Sequence, residues 1–191
     1  MKLLRMNKVK DGRYLKNYEL VYENKAGKEK VFEIVSRSEI ASVDDLGKKT
    51  QGVSIIAFYQ GKMLLLKEFR MGVNKTIVNF CAGSVEEGEV MEDCLKRELK
   101  EETGLNVRRI IKILPPSYAA VSLSDMKNTI AFIEAEGELN SDNAGDNEEI
   151  RAAFYSKEEC RKLLETYEFS SRCQAVVYLY TMDCLDSIFS M

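Results

Sequence analysis

The sequence contains no histidine. Without imidazole, Ser-His and Cys-His activation of a nucleophile and the commonest zinc ligand are excluded together, so acid–base or metal chemistry has to rest on carboxylates. No apolar run approaches the roughly 20 residues that span a bilayer, and the opening MKLLRMNKVKDGRY turns polar too soon for a signal peptide. The expectation is a cytoplasmic protein with no membrane partner. There is no basic excess either: the formal net charge is −3 and Lys and Arg are scattered among acids, which argues against nucleic acid as a partner. The five cysteines, Cys81, Cys94, Cys160, Cys173 and Cys184, are odd in number and form no CxxC pair. Neither a disulfide framework nor a zinc knuckle follows from them, and they read as reduced, mostly buried thiols.

What is present is ordinary for a folded chain: 45% apolar and 31% charged residues over 191 positions, enough for one catalytic domain and a short extra module. Residues 18–23 and 30–35 alternate apolar and polar around NKAGK, predicting a β-hairpin within an N-terminal extension, residues 1–50. From residue 51 to 191 a single domain is expected. Its centre is a second hairpin, GVSIIAFY and KMLLLKEF around Gln60 and Gly61, apolar enough for burial on both faces. TIVNF, NVRRIIKIL, NTIAFIEAE and RAAFY read as further strands, so the class is α/β with a mixed sheet. Capping-box spacings at Ser156/Glu159 and Ser171/Gln174 start two final helices. The second carries an apolar rhythm at Val176, Leu179, Met182, Leu185 and Phe189. Residues 137–149, GELNSDNAGDNEE, read as a long loop.

The stretch 90–102 is predicted to be a helix with Val90, Cys94, Leu95 and Leu99 on its apolar face and Gly104 past its end. Opposite that face, Glu98, Glu101 and Glu102 stand at i, i+3 and i+4, three carboxylates on one side of two turns. Alone they repel. Hard oxygen donors at this density suit Mg²⁺ or Mn²⁺, which keep several waters and bridge carboxylates to substrate phosphates. Arg97, four residues from Asp93 and Glu101, is placed to orient a carboxylate without taking the metal position.

Gly83, Glu89 and the run Arg97-Glu98-Leu99-Lys100-Glu101-Glu102-Thr103-Gly104-Leu105 resemble the Nudix box at every fixed position. At background residue frequencies such a match arises by chance roughly once in a billion starting points. The resemblance implies a loop-helix-loop on an α/β/α sandwich, with Glu98, Glu101 and Glu102 as metal ligands and Gly83 and Gly104 shaping the two loops. More loosely, the flanks resemble the ADP-ribose pyrophosphatase branch. Lys67-Glu68-Phe69-Arg70 is similar to its strand with a substrate-facing arginine, which makes Arg70 a diphosphate clamp. Cys81-Ala82-Gly83 stands where Pro-Ala-Gly is usual, giving Ala82 a backbone role toward metal. Asp146–Arg151 is similar to the branch's acidic loop, so Glu148 first and Glu149 second are the candidates for positioning or deprotonating water. Ala119-Ala120-Val121-Ser122 departs from the branch's Ser-Pro-Gly segment, which leaves other substrates open.

The implied activity is magnesium-dependent cleavage of the pyrophosphate linkage of a nucleoside diphosphate joined to another moiety, with ADP-ribose leading. Another nucleotide sugar, a dinucleoside polyphosphate, coenzyme A or a non-catalytic nucleotide-sensing role are the alternatives. The resemblance also implies a homodimer formed through the N-terminal extension.

Overall fold

The computed structural model describes residues 1–140 and 149–187. Glu148, most of the polar stretch 137–149 and Phe189 lie outside the described residues. In chain order the elements are strands β1 (Lys2–Asp11), β2 (Lys16–Glu23), β3 (Glu29–Ser36), β4 (Thr50–Tyr59), β5 (Lys62–Arg70), β6 (Lys75–Asn79) and β7 (Cys81–Ser84). Helix α1 (Met91–Thr103) follows, then β8 (Asn106–Ile113), β9 (Ser117–Tyr118), β10 (Lys127–Glu136) and β11 (Ile150–Tyr155), and finally helices α2 (Lys157–Thr166) and α3 (Ser171–Thr181). They fall into two units, Met1–Gln51 with Pro116–Asn128, and Gly52–Pro115 with Thr129–Met191.

In the first unit β2 is the middle strand of an antiparallel sheet. The β2–β3 hairpin is the predicted one. Asn24 closes it by accepting from the amides of Ala26 and Lys28, and Gly27 supplies the left-handed residue at φ 72. Strand β1 is not foreseen in the sequence reading. Nearly all its side chains are exposed, and it is held by its ladder to β2, from Lys2 opposite Glu23 to Asp11 opposite Lys16. The small core is Tyr18, Leu20, Ile34 and Ile40, with the Ile40 amide donating to the Tyr18 hydroxyl at 2.9 Å. The Pro116–Asn128 excursion joins this unit through the Val35 amide, which donates to the Leu123 carbonyl at 2.9 Å.

In the second unit the mixed sheet runs β11-β5-β4-β10-β8, with β6 on β5 and β7 on β4. Gln60 and Gly61, both at positive φ (51° and 77°), turn β4 into β5 in the way two-residue hairpins require. Alternation then sorts the apolar side chains. Val53, Ile55, Ala57, Leu64 and Leu66 pack with Cys94, Leu95 and Leu99 of α1. Ile56, Phe58, Met63 and Leu65 pack on the other face with residues of α2 and α3. Each fully buried large aliphatic contributes roughly 1.5–3 kcal/mol. The result is an α/β/α sandwich.

Two helix expectations need correction. The α3 N-cap is Ser170, not Ser171, and the helix ends at Thr181. Its buried stripe is Cys173, Val177, Tyr180 and Thr181; of the expected rhythm Val176 and, beyond the helix, Leu185 pack into the same core, whereas Leu179 and Met182 are exposed. The i, i+4 step that points inward starts one turn earlier than the apolar rhythm suggested. Val90, expected on the apolar face of α1, is its N-cap and is 60% exposed.

Candidate active site

Helix α1 has ordinary causes at both ends. Glu92 and Asp93 sit in its first turn, where the exposed amides favour anions. At the other end Gly104 takes the left-handed conformation at φ 74, and the Lys100 ammonium donates to the Gly104 carbonyl at 2.7 Å. Burial of Cys94, Leu95 and Leu99 fixes the rotation of the helix. Glu98, Glu101 and Glu102 are thereby held in its C-terminal half, where the helix dipole disfavours anions.

The preceding loop is built around these acids. Strand β7 pairs with β4, Gly83 opposite Val53 and Ala82 opposite Ser54. A Cβ on Gly83 would stand 1.6 Å from the carboxyl carbon of Glu98, so any larger residue there would displace the Glu98 carboxylate. Gly52 is a second such point, missed in the sequence reading, since its Cβ would lie 2.3 Å from the Gly83 carbonyl oxygen. Arg97 grips Glu89 bidentately, Nε to Oε1 at 2.9 Å and Nη2 to Oε2 at 3.0 Å, and donates to the Ser84 carbonyl at 2.9 Å. Glu89 in turn accepts from the Glu86 amide at 3.0 Å. Those bonds, the Arg97 ones foremost, pull the Glu89 carboxyl down to about 2. Loop and helix are clamped together through this pair.

The same guanidinium reaches further. Arg97 Nη1 donates to Glu98 at 2.8 Å and to Glu101 at 3.1 Å, so it bridges two of the three acids instead of standing clear of them. Asp93, its other expected neighbour, pairs with Lys96. Glu102 stands apart: 7% exposed, it accepts from the Ala82 amide at 3.1 Å. Burial pushes its carboxyl up to about 8, with repulsion from Glu68 and Glu98 adding to this, against the opposing bonds from Cys81 and Ala82. Cys81 is fully buried beside it, its thiol raised by burial and by Glu102.

Among the described residues no three acidic, cysteine or histidine side chains are gathered closely enough to hold a metal ion by themselves. The donor set nevertheless fits an open site. Hard carboxylate oxygens from Glu98, Glu101 and Glu102 share one helix side, one of them buried with its charge opposed by neighbouring acids, and such a site leaves room for waters and substrate oxygens around a small divalent cation.

Arg70, at the end of β5, is paired with Glu68. The second Glu68 oxygen accepts from Asn79 Nδ2 at 3.1 Å, and Asn79 Oδ1 accepts from the Ser170 hydroxyl at 2.8 Å. No local pattern in the sequence marks Glu68, Asn79 and Ser170 as a linked set. Repulsion places Glu68 electrostatically beside Glu102 and Cys81. Glu149 is exposed, and its carbonyl accepts from the Phe69 amide at 3.0 Å, next to Glu68 and Arg70. Gly83, Ala82, Glu89, Arg97, Glu98, Glu101, Glu102 and Gly104 therefore gather around α1, while Arg70 and Glu149 meet at the end of β5. Ala119–Ser122 belongs to the excursion of the first unit.

The NUDIX domain profile matches residues 48–173. An ADP-ribose pyrophosphatase of Bacillus subtilis (strain 168) is 28% identical over 156 residues, covering 77% of this chain and 81% of the relative. An ADP-sugar pyrophosphatase of Mus musculus is 27% identical over 142 residues, covering 72% of this chain and 61% of the relative. An ADP-ribose pyrophosphatase of Saccharomyces cerevisiae (strain ATCC 204508 / S288c) is 32% identical over 107 residues, 53% of this chain and 45% of the relative. Among solved structures, one described as an ADP compounds hydrolase superposes with a TM-score of 0.72 over 97% of this chain and 94% of its own, at 20% identity, a likeness of fold.

Proposed function

The chain belongs to the Nudix hydrolase family, and on that premise we propose that it hydrolyses the pyrophosphate linkage of a nucleoside diphosphate joined to a second moiety, with ADP-ribose as substrate and Mg²⁺ as its metal. The observation that carries this reading is the buried Glu102 beside Glu98 on a helix side otherwise rich in acid, an arrangement that costs stability unless cations occupy it. The names of the relatives support the choice of ADP-ribose.

In this reading Glu98, Glu101 and Glu102, with the Ala82 carbonyl, hold divalent ions. When bound, these polarise the diphosphate and lower the pKa of a coordinated water. The protein's own part is positional. Arg97 keeps the loop and helix in register through Glu89, and Gly83 lets Glu98 lie against β7. Arg70 binds the bridging diphosphate through its guanidinium. Glu148 or Glu149 orients the attacking water and accepts its proton. Water oxygen bonds to phosphorus as the bridging P–O bond breaks in line, and ADP-ribose yields AMP and ribose 5-phosphate. Residues 1–50 act as a β extension that pairs with a second copy. The exposed Val9, Val31 and Phe32 on its sheet, with Leu15 in the β1–β2 turn, support this.

Turnover of a panel of ADP-ribose, other nucleotide sugars, dinucleoside polyphosphates and coenzyme A, with Mg²⁺ and with chelator, tests the function. ADP-ribose should give the highest kcat/KM and chelator should abolish it; preference for another compound replaces the substrate, and metal-independent turnover overturns the mechanism. Light scattering at micromolar concentration should return twice the chain mass, and a strict monomer removes the dimer.

A further inference from the structure

A line of four side chains runs from the surface into the second unit. The Arg70 guanidinium donates through Nη1 to one oxygen of Glu68, Asn79 Nδ2 donates to the other at 3.1 Å, and the Ser170 hydroxyl donates to Asn79 Oδ1 at 2.8 Å. The line is anchored at its inner end. The Ser170 amide donates to the Val78 carbonyl at 3.2 Å and the Val78 amide to that of Glu168 at 2.8 Å, fixing the segment between α2 and α3 to β6. Exposure falls along it, from 53% for the Arg70 side chain to 14% for Glu68.

The division of Glu68 between two donors matters chemically. A carboxylate facing an arginine with both oxygens free turns to the bidentate fork, the strongest arrangement open to the pair. Here Asn79 holds the second oxygen, and its amide is oriented for that bond because Ser170 donates to its carbonyl end. The pairing with Arg70 is therefore through one nitrogen, and no hydrogen bond from Nη2 or Nε of Arg70 is recorded among the described residues. Glu68, which holds this guanidinium, is among the charges that repel Glu102.

We propose that Glu68, held by Asn79 and Ser170, is a positioning residue that keeps Arg70 in one place with half of its donor fork free for the diphosphate of the substrate. This rests on the reading of Arg70 as the diphosphate-binding arginine. Asn79 then has a specificity for geometry and not for charge: removing it frees the second Glu68 oxygen, the fork closes on Glu68, and the substrate loses its partner.

The test measures KM and kcat with ADP-ribose and Mg²⁺, and the Kd of the non-hydrolysable diphosphate α,β-methylene-ADP by calorimetry, for Arg70→Ala, Asn79→Ala, Ser170→Ala and the double variant of Arg70 and Asn79. Arg70→Ala is expected to raise KM and Kd about tenfold and Asn79→Ala about fivefold, with kcat within about twofold and Ser170→Ala in the same direction but smaller. In the Arg70→Ala background, loss of Asn79 should add nothing, because the two act on one contact. Weakened binding in Arg70→Ala with unchanged binding in Asn79→Ala and Ser170→Ala overturns the relay alone. Unchanged binding in Arg70→Ala overturns the diphosphate reading and the relay with it. A fall in kcat at constant KM and Kd in Asn79→Ala assigns it a structural part and also overturns the relay.

Discussion

Helices α1 and α2 are both short, charged outside and apolar inside, and each buries a cysteine and leucine against the same sheet. They differ in where the negative charge goes. In α2, Glu158 and Glu159 occupy the first turn, Glu159 closes a capping box with Ser156, and Glu158 pairs with Lys162 at 2.9 Å, so both acids of that turn meet a donor and the positive end of the dipole. In α1 Glu92 and Asp93 also occupy the first turn, though without a side-chain cap, and Glu98, Glu101 and Glu102 lie in the last turns, against the dipole. The acids of α2 stay exposed, whereas α1 carries Glu102 into the interior, where burial disfavours its charge, and holds Glu98 and Glu101 through its own Arg97. The contrast marks α1, by its buried acid, as the helix to which the proposed chemistry is assigned.

Three experiments bear on that contrast. The largest effect belongs to Glu102→Gln, which keeps the volume and removes the buried charge. We expect kcat to fall about a thousandfold, ~4 kcal/mol of barrier, while the melting temperature of metal-free protein holds or rises. Activity within about tenfold of wild type at saturating Mg²⁺ would erase the distinction between the helices. Next, Mg²⁺ at about a hundred times its Kd should stabilise the protein by ~2.7 kcal/mol in calorimetric unfolding. Chelator should reverse this and Glu102→Gln should reduce it. The smallest effect is in α2: Ser156→Ala should cost ~1 kcal/mol of stability, read as a lower denaturation midpoint, with kcat and KM unchanged. A matching loss of turnover would show that α2 also serves the chemistry.

The sequence makes α1 legible because what specifies it is local, an apolar stripe and a glycine that stops it, but the glutamates expected opposite that stripe are not all there: Glu102 is buried with Leu99 and Glu98 lies under Gly83. The β4–β5 hairpin is legible for the same reason, since Gln60 and Gly61 announce the turn. Strand β1 is hidden because it buries little, so its Lys and Arg residues carry no alternation to read, and it is held by backbone pairing with β2, by Leu3 and Met6 against the small core and by the Arg5–Glu29 pair. The α3 stripe is misplaced because apolar residues stand on both sides of that helix, and tertiary packing chose Cys173, Val177 and Tyr180. The link from Glu68 through Asn79 to Ser170 spans separations of 11 and 91 residues, which no local pattern encodes. The double engagement of Arg97 was half visible: its spacing to Glu101 predicted one contact, and its bond to the adjacent Glu98 depends on how the Gly83 loop folds over the helix.

The excursion Pro116–Asn128 bears on how such chains can be recombined. Its Leu123 carbonyl is met by the amide of Val35, and the Asp125 carboxylate by the amide of Gly47 at 3.2 Å, so the first 51 residues and this later stretch are complementary halves of one folding unit. A chimera that takes only the N-terminal segment from a relative would set a foreign sheet against a resident loop, with backbone donors mismatched on both. Crossover points for swapping extensions between relatives should therefore be chosen in pairs, one near residue 51 and a second pair bracketing residues 116 and 128.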